Sequence, residues 1–365
     1  MCMGMRGNMA TQNFPAVFDG HNDTVLSLTR TGRSFFEKSD EGHIDLPRSQ
    51  EGGLGGGFFA VYIADPPAPR QEGERLSAEQ VLSRYGDEST WPEPMSLEFA
   101  QSRALSLLGA LIRLEEESNG SAKIVRTAAE IQECMDNGTF AILLHFEGAE
   151  PLDTDGDALE VFYAAGVRSL GITHSRRNTF ATGVPFKFPS SPDTGAGLTD
   201  AGKELIRQCN RRKVMLDLSH ITEKGFWDVA AITDAPLVAT HSNAHVLSET
   251  PRNLTDKQLD AVKESRGMVG LNFHVGFLRS DGKAESDTPL SVMADHLERM
   301  VEKTGIDCVG LGSDYDGAMM PDELKDAAGL PKLMAQIQSR GYSDDDMRKL
   351  AHGNWVRVLR ETWGE

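Results

Sequence analysis

The chain has 365 residues, 39% of them hydrophobic and 25% charged, a composition that excludes a wholly disordered protein and leaves room for one large α/β domain with insertions. Its formal net charge of -18 argues against a polyanion partner, because nucleic-acid binding relies on Lys and Arg neutralising phosphates. The excess acid reads as a solubility feature.

In chain order, Met1 to Phe14 carries no apolar core of signal-peptide length, and no later segment reaches the roughly 18 apolar residues of a membrane span. Eight short apolar, β-branched runs follow, each closed by Gly or a polar cluster, and each reads as a buried strand. They are Ala16 to Asp23, Gly57 to Ala64, Phe140 to Glu147, Val167 to His174, Val214 to His220, Leu237 to Ser242, Met268 to Phe273 and Val309 to Asp314. Gly52 to Gly57 (GGLGGG) precedes a strand and opens no helix, so it reads as a flexible turn. The longest gap, Asp65 to Gly138, starts with a Pro-rich turn (DPPAP) and carries a helical pattern from Ser96 to Glu117; it reads as an elaboration of the second strand's connection. Asp157 to Ala165, Thr199 to Arg212, Lys224 to Ile232, Thr255 to Ser265 and Leu290 to Thr304 show helical spacing, and Tyr342 to Trp363 predicts a final outer helix. Pro185 to Thr194 is an irregular loop of the kind that frames a substrate. Strand and helix alternating in this way predict a single-domain (β/α)8 TIM barrel spanning 1–365, with an insertion after strand 2. A doubly wound open sheet is the competing fold, but no GxGxxG follows the first strand.

The metal-competent side chains fall at the carboxyl ends of those strands, where barrel enzymes place their chemistry. His21 and Asp23, two apart, share one side of an extended chain; Glu147 ends the third predicted strand, His220 the fifth, and His241 lies at the end of the sixth. Imidazole and carboxylate are what zinc accepts in an open site, and these residues are too many for one catalytic ion. Two ions about 3.5–4 Å apart would share them, with Glu147 bridging. One site is then His21, Asp23 and Glu147, the other Glu147, His220 and His241. His145, alternating with Glu147, points inward one layer below and is a candidate to hydrogen-bond that carboxylate. His43, His245, His296 and His352 lie in predicted loops or helices and read as structural or exposed. Cys2, Cys134, Cys209 and Cys308 have no CxxC spacing, so free thiols in a reducing, cytoplasmic setting are expected.

These residues also spell a family pattern: FDGHND at 18–23, HFEG at 145–148, GITHSRRN at 171–178, LDLSH at 216–220, THSNAH at 240–245, PRNLTD at 251–256 and GLGSDYDG at 310–317. The sequence resembles the membrane (renal) dipeptidases of the amidohydrolase superfamily, from Phe18 to Trp355. The resemblance implies two Zn2+ per chain, held as above and bridged by Glu147 and a water or hydroxide. It also implies that His174 lies near the scissile carbonyl, Arg252 binds the substrate's carboxylate, and Asp314 handles protons. Hydrolysis of free dipeptides, L-Xaa-D-Xaa included, and a homodimer are further implications. Mammalian members are secreted, lipid-anchored and disulfide-linked, and they carry a tyrosine where this chain has His274. Deaminase, lactonase or phosphoesterase chemistry at a binuclear site is the competing function, and an inactive metal-binding scaffold is a third.

Overall fold

The computed structural model describes residues 14–65, 85–87, 89, 91 and 93–364. Strand β1 is Val17–Asn22, followed by helices α1 (Thr24–Thr31) and α2 (Leu46–Gly52) and by β2 (Leu54–Tyr62). Next come α3 (Leu97–Glu117), β3 (Ala122–Val125), α4 (Ala128–Asn137) and β4 (Phe140–Glu147). Helix and strand then alternate through α5 (Asp157–Ala165), β5 (Ser169–Gly171), α6 (Asp200–Arg212), β6 (Met215–Asp217), α7 (Glu223–Ala230), β7 (Val238–Ala239), α8 (Asp256–Glu264) and β8 (Met268–Leu271). Helices α9 (Val275–Leu278) and α10 (Leu290–Thr304) lead to β9 (Val309–Leu311), and α11 (Leu330–Gln338), α12 (Asp344–Arg348) and α13 (Asn354–Trp363) follow.

All strand pairs are parallel in the order β1-β2-β4-β5-β6-β7-β8-β9. A parallel bridge between Asn22 and Tyr315 and the bond from Asp314 N–H to the His21 carbonyl (2.9 Å) bring the last strand back to the first. The result is the expected α/β architecture, a nearly closed (β/α)8 barrel. Strand β3 was not anticipated; it pairs with the outer side of the path at β4, so the gap after β2 holds a strand and a helix besides α3. The DPPAP turn and the amino-terminal stretch lie largely outside the described residues. Of the predicted final helix, Tyr342 to Trp363, the part from Asp344 forms one run through α12 and α13 with a π turn between them at Lys349–Gly353.

The glycine run is part turn and part strand: Gly52 ends α2 and Gly53 caps it in the left-handed region (φ 73°), while Leu54 to Gly57 already belong to β2. Gly55, Gly56 and Gly57 lie inside β2, where a Cβ on Gly56 would fall 2.2 Å from the Ala141 carbonyl oxygen and one on Gly57 2.7 Å from that of Asp19. Close approach of neighbouring strands, and not turn geometry, demands glycine there.

Alternation along β4 sorts the two faces. Phe140, Ile142, Leu144 and Phe146 join the outer core against the helices, while Ala141 and Leu143 join an inner cluster with Phe18, Phe58, Met215, Val238 and Met268. Trp355 of α13 plugs that inner cluster from below, its Nε1–H donating to the Leu311 carbonyl at 3.0 Å. Gly20 faces the plug, where any Cβ would stand 2.4 Å from the Trp355 ring. Further up the same inward face of β4 stand His145 and Glu147. Helix starts are set locally by hydroxyl caps such as Thr199, Thr222 and Thr255, the last in a capping box with Gln258. No helix among the described residues is long and apolar enough to cross a membrane.

Candidate active site

Every predicted ligand lies at the carboxyl end of the barrel. His21 is on β1, Glu147 ends β4, and His220 and His241 stand just beyond β6 and β7. His21 and Asp23 meet by a different route from the one expected. Asp23 has left the strand as the residue before α1 (φ -99°, ψ 24°) and makes no capping bond; its Oδ2 turns instead to within 3.7 Å of His21 Nε2.

Glu147 Oε1 lies 3.5 Å from His21 Nε2, 3.0 Å from His220 Nε2 and 3.6 Å from His241 Nε2. Three imidazoles thus face one carboxylate oxygen, all buried. The far nitrogens of two of them are occupied: His220 Nδ1 sits 3.0 Å from Ser175 Oγ and His241 Nδ1 2.8 Å from Thr240 Oγ1. Among the described residues, neither nitrogen of His21 has a hydrogen-bond partner. A buried polar group left unpaired costs about 1–3 kcal/mol, so this donor set fits divalent cations better than it fits internal hydrogen bonding. Among the described residues, possible ligand atoms gather within 4.8 Å in three groups: His21, Asp23 and Glu147; Glu147, His174 and His220; His21, Asp217 and His241.

Electrostatics point the same way. Burial drives His174, His220 and His241 well below the ordinary histidine range and pushes Asp23 and Glu147 up. At His21 burial also acts downward, but Glu147 and then Asp23 outweigh it and lift the imidazole to about 10. The carboxylates therefore gather positive charge at this spot, a role a metal ion fills without a proton.

The remaining predicted residues surround the cluster. The His174 ring is 4.2 Å from that of His220 and 4.6 Å from that of Tyr62, with Nδ1 unpartnered. Asp314 adopts φ 61°, and its Oδ2 accepts from Asn272 Nδ2 at 2.9 Å. Gly317 lets the loop close over both carboxylates, since a Cβ there would stand 2.1 Å from Asp23 Oδ2 and 2.8 Å from Asp314 Oδ1. Arg252 is fully buried; its Nη1 donates to the Ser219 carbonyl, its Nη2 to that of His241 at 3.2 Å, and its Nε has no partner. Burial lowers its guanidinium to about 10 against the pull of Asp314 and Glu147.

Other sequence readings sort as follows. His145 bonds Ser169 Oγ at 2.8 Å and stands 3.6 Å from Asp217 Oδ2, so its company is Asp217 and not Glu147 as envisaged. His296 bridges Ala244 N–H and the Leu278 carbonyl, His352 meets the Ala16 carbonyl, His245 that of Ser190, and His43 accepts from Asp316 N–H; all four are structural. Cys134, Cys209 and Cys308 are free and buried. Sequence reasoning gave no role to Asp217, whose carboxylate accepts from Ser219 Oγ (2.6 Å) and Thr240 Oγ1 (2.7 Å) and so aims the hydroxyl that meets His241. An acid inside the apolar run LDL was the available signal. Asn272 and the rings of Phe186 and Phe277 were likewise unassigned.

A sequence profile described as membrane dipeptidase (peptidase family M19) matches residues 8–363. A Rhodobacter sphaeroides metallopeptidase solved with a phosphinate mimic of the dipeptide L-Ala-D-Ala is 46% identical, covers 96% of this chain and 100% of its own, and superposes with a TM-score of 0.90. The solved metallopeptidase dipeptidase AC, also of family M19, is 45% identical with a TM-score of 0.88, covering 97% and 100%. Dipeptidase tcpJ of Claviceps purpurea is 28% identical over 356 residues, 94% of this chain and 76% of its own length.

Proposed function

The chain belongs to the membrane dipeptidase family, M19, a family of metallo-dipeptidases, and from that premise we propose that it hydrolyses free dipeptides, L-Xaa-D-Xaa among them, with two zinc ions. The observation that carries this reading is the convergence of His21, Asp23, His220 and His241 on Glu147, with the unpartnered His21 at its centre. The solved relative bound to an L-Ala-D-Ala mimic supports the stereochemistry.

His21 and Asp23 would hold one ion, His220 and His241 the other, and Glu147 both. Bound there, the pair would supply Lewis acidity and an acidified water. Thr240, whose hydroxyl donates to Asp217, accepts Nδ1–H from His241, and Ser175 is placed to accept it from His220; the Nε2 lone pairs then face the cluster. Arg252 anchors the substrate's terminal carboxylate through Nε–H, a donor its backbone contacts leave unused. His174 stays neutral beside Arg176 and Arg252 and donates to the developing oxyanion. Asp314, held through Oδ2 by Asn272, uses Oδ1 to take a proton from the attacking water and return it to the leaving amine. The same reading takes the chain as one barrel domain assembling as a homodimer.

The test is hydrolysis of L-Xaa-L-Xaa and L-Xaa-D-Xaa dipeptides by zinc-loaded protein, with a C-terminally amidated dipeptide and a tripeptide as controls. Cleavage confined to free dipeptides, lost on chelation and restored by zinc, is expected. Equal cleavage of the amidated dipeptide, or an Arg252→Met variant with unaltered turnover, overturns the carboxylate-anchoring role.

A further inference from the structure

The mouth of the barrel carries aromatic rings that the reaction does not use. Most phenylalanines of the chain's core, among them Phe18, Phe58, Phe146, Phe226 and Phe273, are fully buried. Phe186 and Phe277 are partly exposed instead, and their rings lie nearly parallel, 16° apart in plane, with centroids 6.2 Å apart. Phe186 reaches the catalytic side of the site: its ring is 5.8 Å from that of His174 and 6.5 Å from that of His220. Phe277 reaches the other side, with the Arg252 guanidinium carbon 5.2 Å above its ring.

The two rings therefore span the interval from the carbonyl end of the site to the carboxylate anchor. In a dipeptide, one residue occupies that interval. Its amide nitrogen belongs to the scissile bond and its carboxylate to Arg252, so its Cα and side chain must lie between them. Resting on the dipeptidase reading above, we infer that Phe186 and Phe277 form the side-chain subsite for the C-terminal residue of the substrate and select apolar side chains there. Neither ring has a charge or a hydrogen-bonding group to offer, so an acidic or amide side chain placed against them loses water without compensation, whereas a leucine or phenylalanine gains burial.

Phe186 is held in place by its surroundings. Its own N–H donates to the Tyr85 carbonyl at 2.9 Å, and two residues earlier the Val184 N–H donates to the His220 carbonyl at 2.7 Å. Further along the loop, Ser190 N–H reaches the Glu249 carbonyl at 2.8 Å, and the Ser190 carbonyl meets His245 Nε2 at 3.0 Å. Phe277 is carried on α9, where its carbonyl accepts from Asn253 Nδ2 at 2.8 Å. A subsite whose walls are tied down at the backbone discriminates by fit, because the walls do not retreat for a poor match.

The experiment measures kcat/KM of zinc-loaded protein for Ala-D-Leu, Ala-D-Asp and Ala-Gly, in the wild type and in Phe186→Ala, Phe277→Ala and Phe277→Leu variants. The wild type should prefer the leucine substrate to the aspartate substrate by at least about tenfold, the range a hydrophobic pocket achieves. Either alanine variant should cut the Leu-to-Gly ratio by about tenfold, and Phe277→Leu should restore most of it. The ratio separates this role from packing: a variant that merely loosens the loop or disturbs Arg252 lowers all three substrates together, and that result overturns the inference. If the wild type cleaves no dipeptide, calorimetric binding of the phosphinate mimics of Ala-D-Leu and Ala-Gly decides. Tighter binding of the leucine mimic, lost in Phe186→Ala, retains the subsite while the hydrolytic reading fails; equal binding of the two mimics overturns the subsite as well.

Discussion

The two ends of the barrel are built by the same strands and reach opposite solutions. At the amino end, inward positions carry Phe18, Phe58, Leu143, Met215, Val238 and Met268 around Trp355, an apolar plug whose indole N–H is met by the Leu311 carbonyl. At the carboxyl end, positions on those strands or just beyond them carry His21, His145, Glu147, Asp217, His220 and His241, all buried and ionisable. The first end lowers free energy by excluding water. The second raises it, leaving His21 without a hydrogen-bond partner among the described residues and carboxylates crowded in a desolvated space, a cost tolerated where a bound ion compensates. Stability and function are thus separated along one axis, and changes at each end should fail in different ways.

The largest expected effect is at Glu147. Replacing it with Gln keeps the shape but removes the charge toward which three imidazoles point, so activity should fall by about a thousandfold or more, and bound zinc measured by mass spectrometry should drop with it. Asp314→Asn should lower kcat by roughly 10²–10⁴ while zinc content stays at the wild-type level; loss of metal in that variant would make Asp314 a ligand and not a proton carrier. At the other end, Trp355→Ala should reduce unfolding free energy by about 3–5 kcal/mol. Its zinc content and KM should hold at temperatures where the variant is folded, and a specific loss of metal affinity would erase the distinction between the ends.

The smallest effect sharpens the contrast between structural and site histidines. Burial lowers His296 to about 4, below an unfolded value of about 6.5. The folded form therefore binds fewer protons than the unfolded one as pH falls through that window, and stability declines from about pH 6.5 down to about pH 4. Chemical denaturation of metal-free protein across this range should show a slope up to about 1.4 kcal/mol per pH unit steeper than in His296→Gln. An identical pH dependence in the two proteins would mean that burial does not hold His296 neutral.

What the chain order alone determined is local in origin. Strands are legible as apolar runs leading to His, Glu or Asp, although β5, β7 and β9 close before His174, His241 and Asp314, and helix starts are legible where Thr or Ser precedes an amphipathic stretch, because both follow from interactions within a few residues. The (β/α)8 alternation was readable for that reason, as were the positions of the five proposed ligands at one end of the barrel; Phe186 of the Pro185 to Thr194 loop lies with its ring 5.8 Å from that of His174. Only the tertiary structure decided matters that depend on closure of the sheet. It put Gly56 and Gly57 inside a strand, where β4 and β1 respectively pass too close for a Cβ. It assigned His145 of β4 to Asp217 of β6, across the intervening β5, since side chains of alternate strands and not sequence neighbours meet in the inner layers. It joined Arg252, from the loop before α8, to Phe277 on α9, a contact made by side chains on separate loops meeting over the barrel mouth, which no periodicity along the chain encodes.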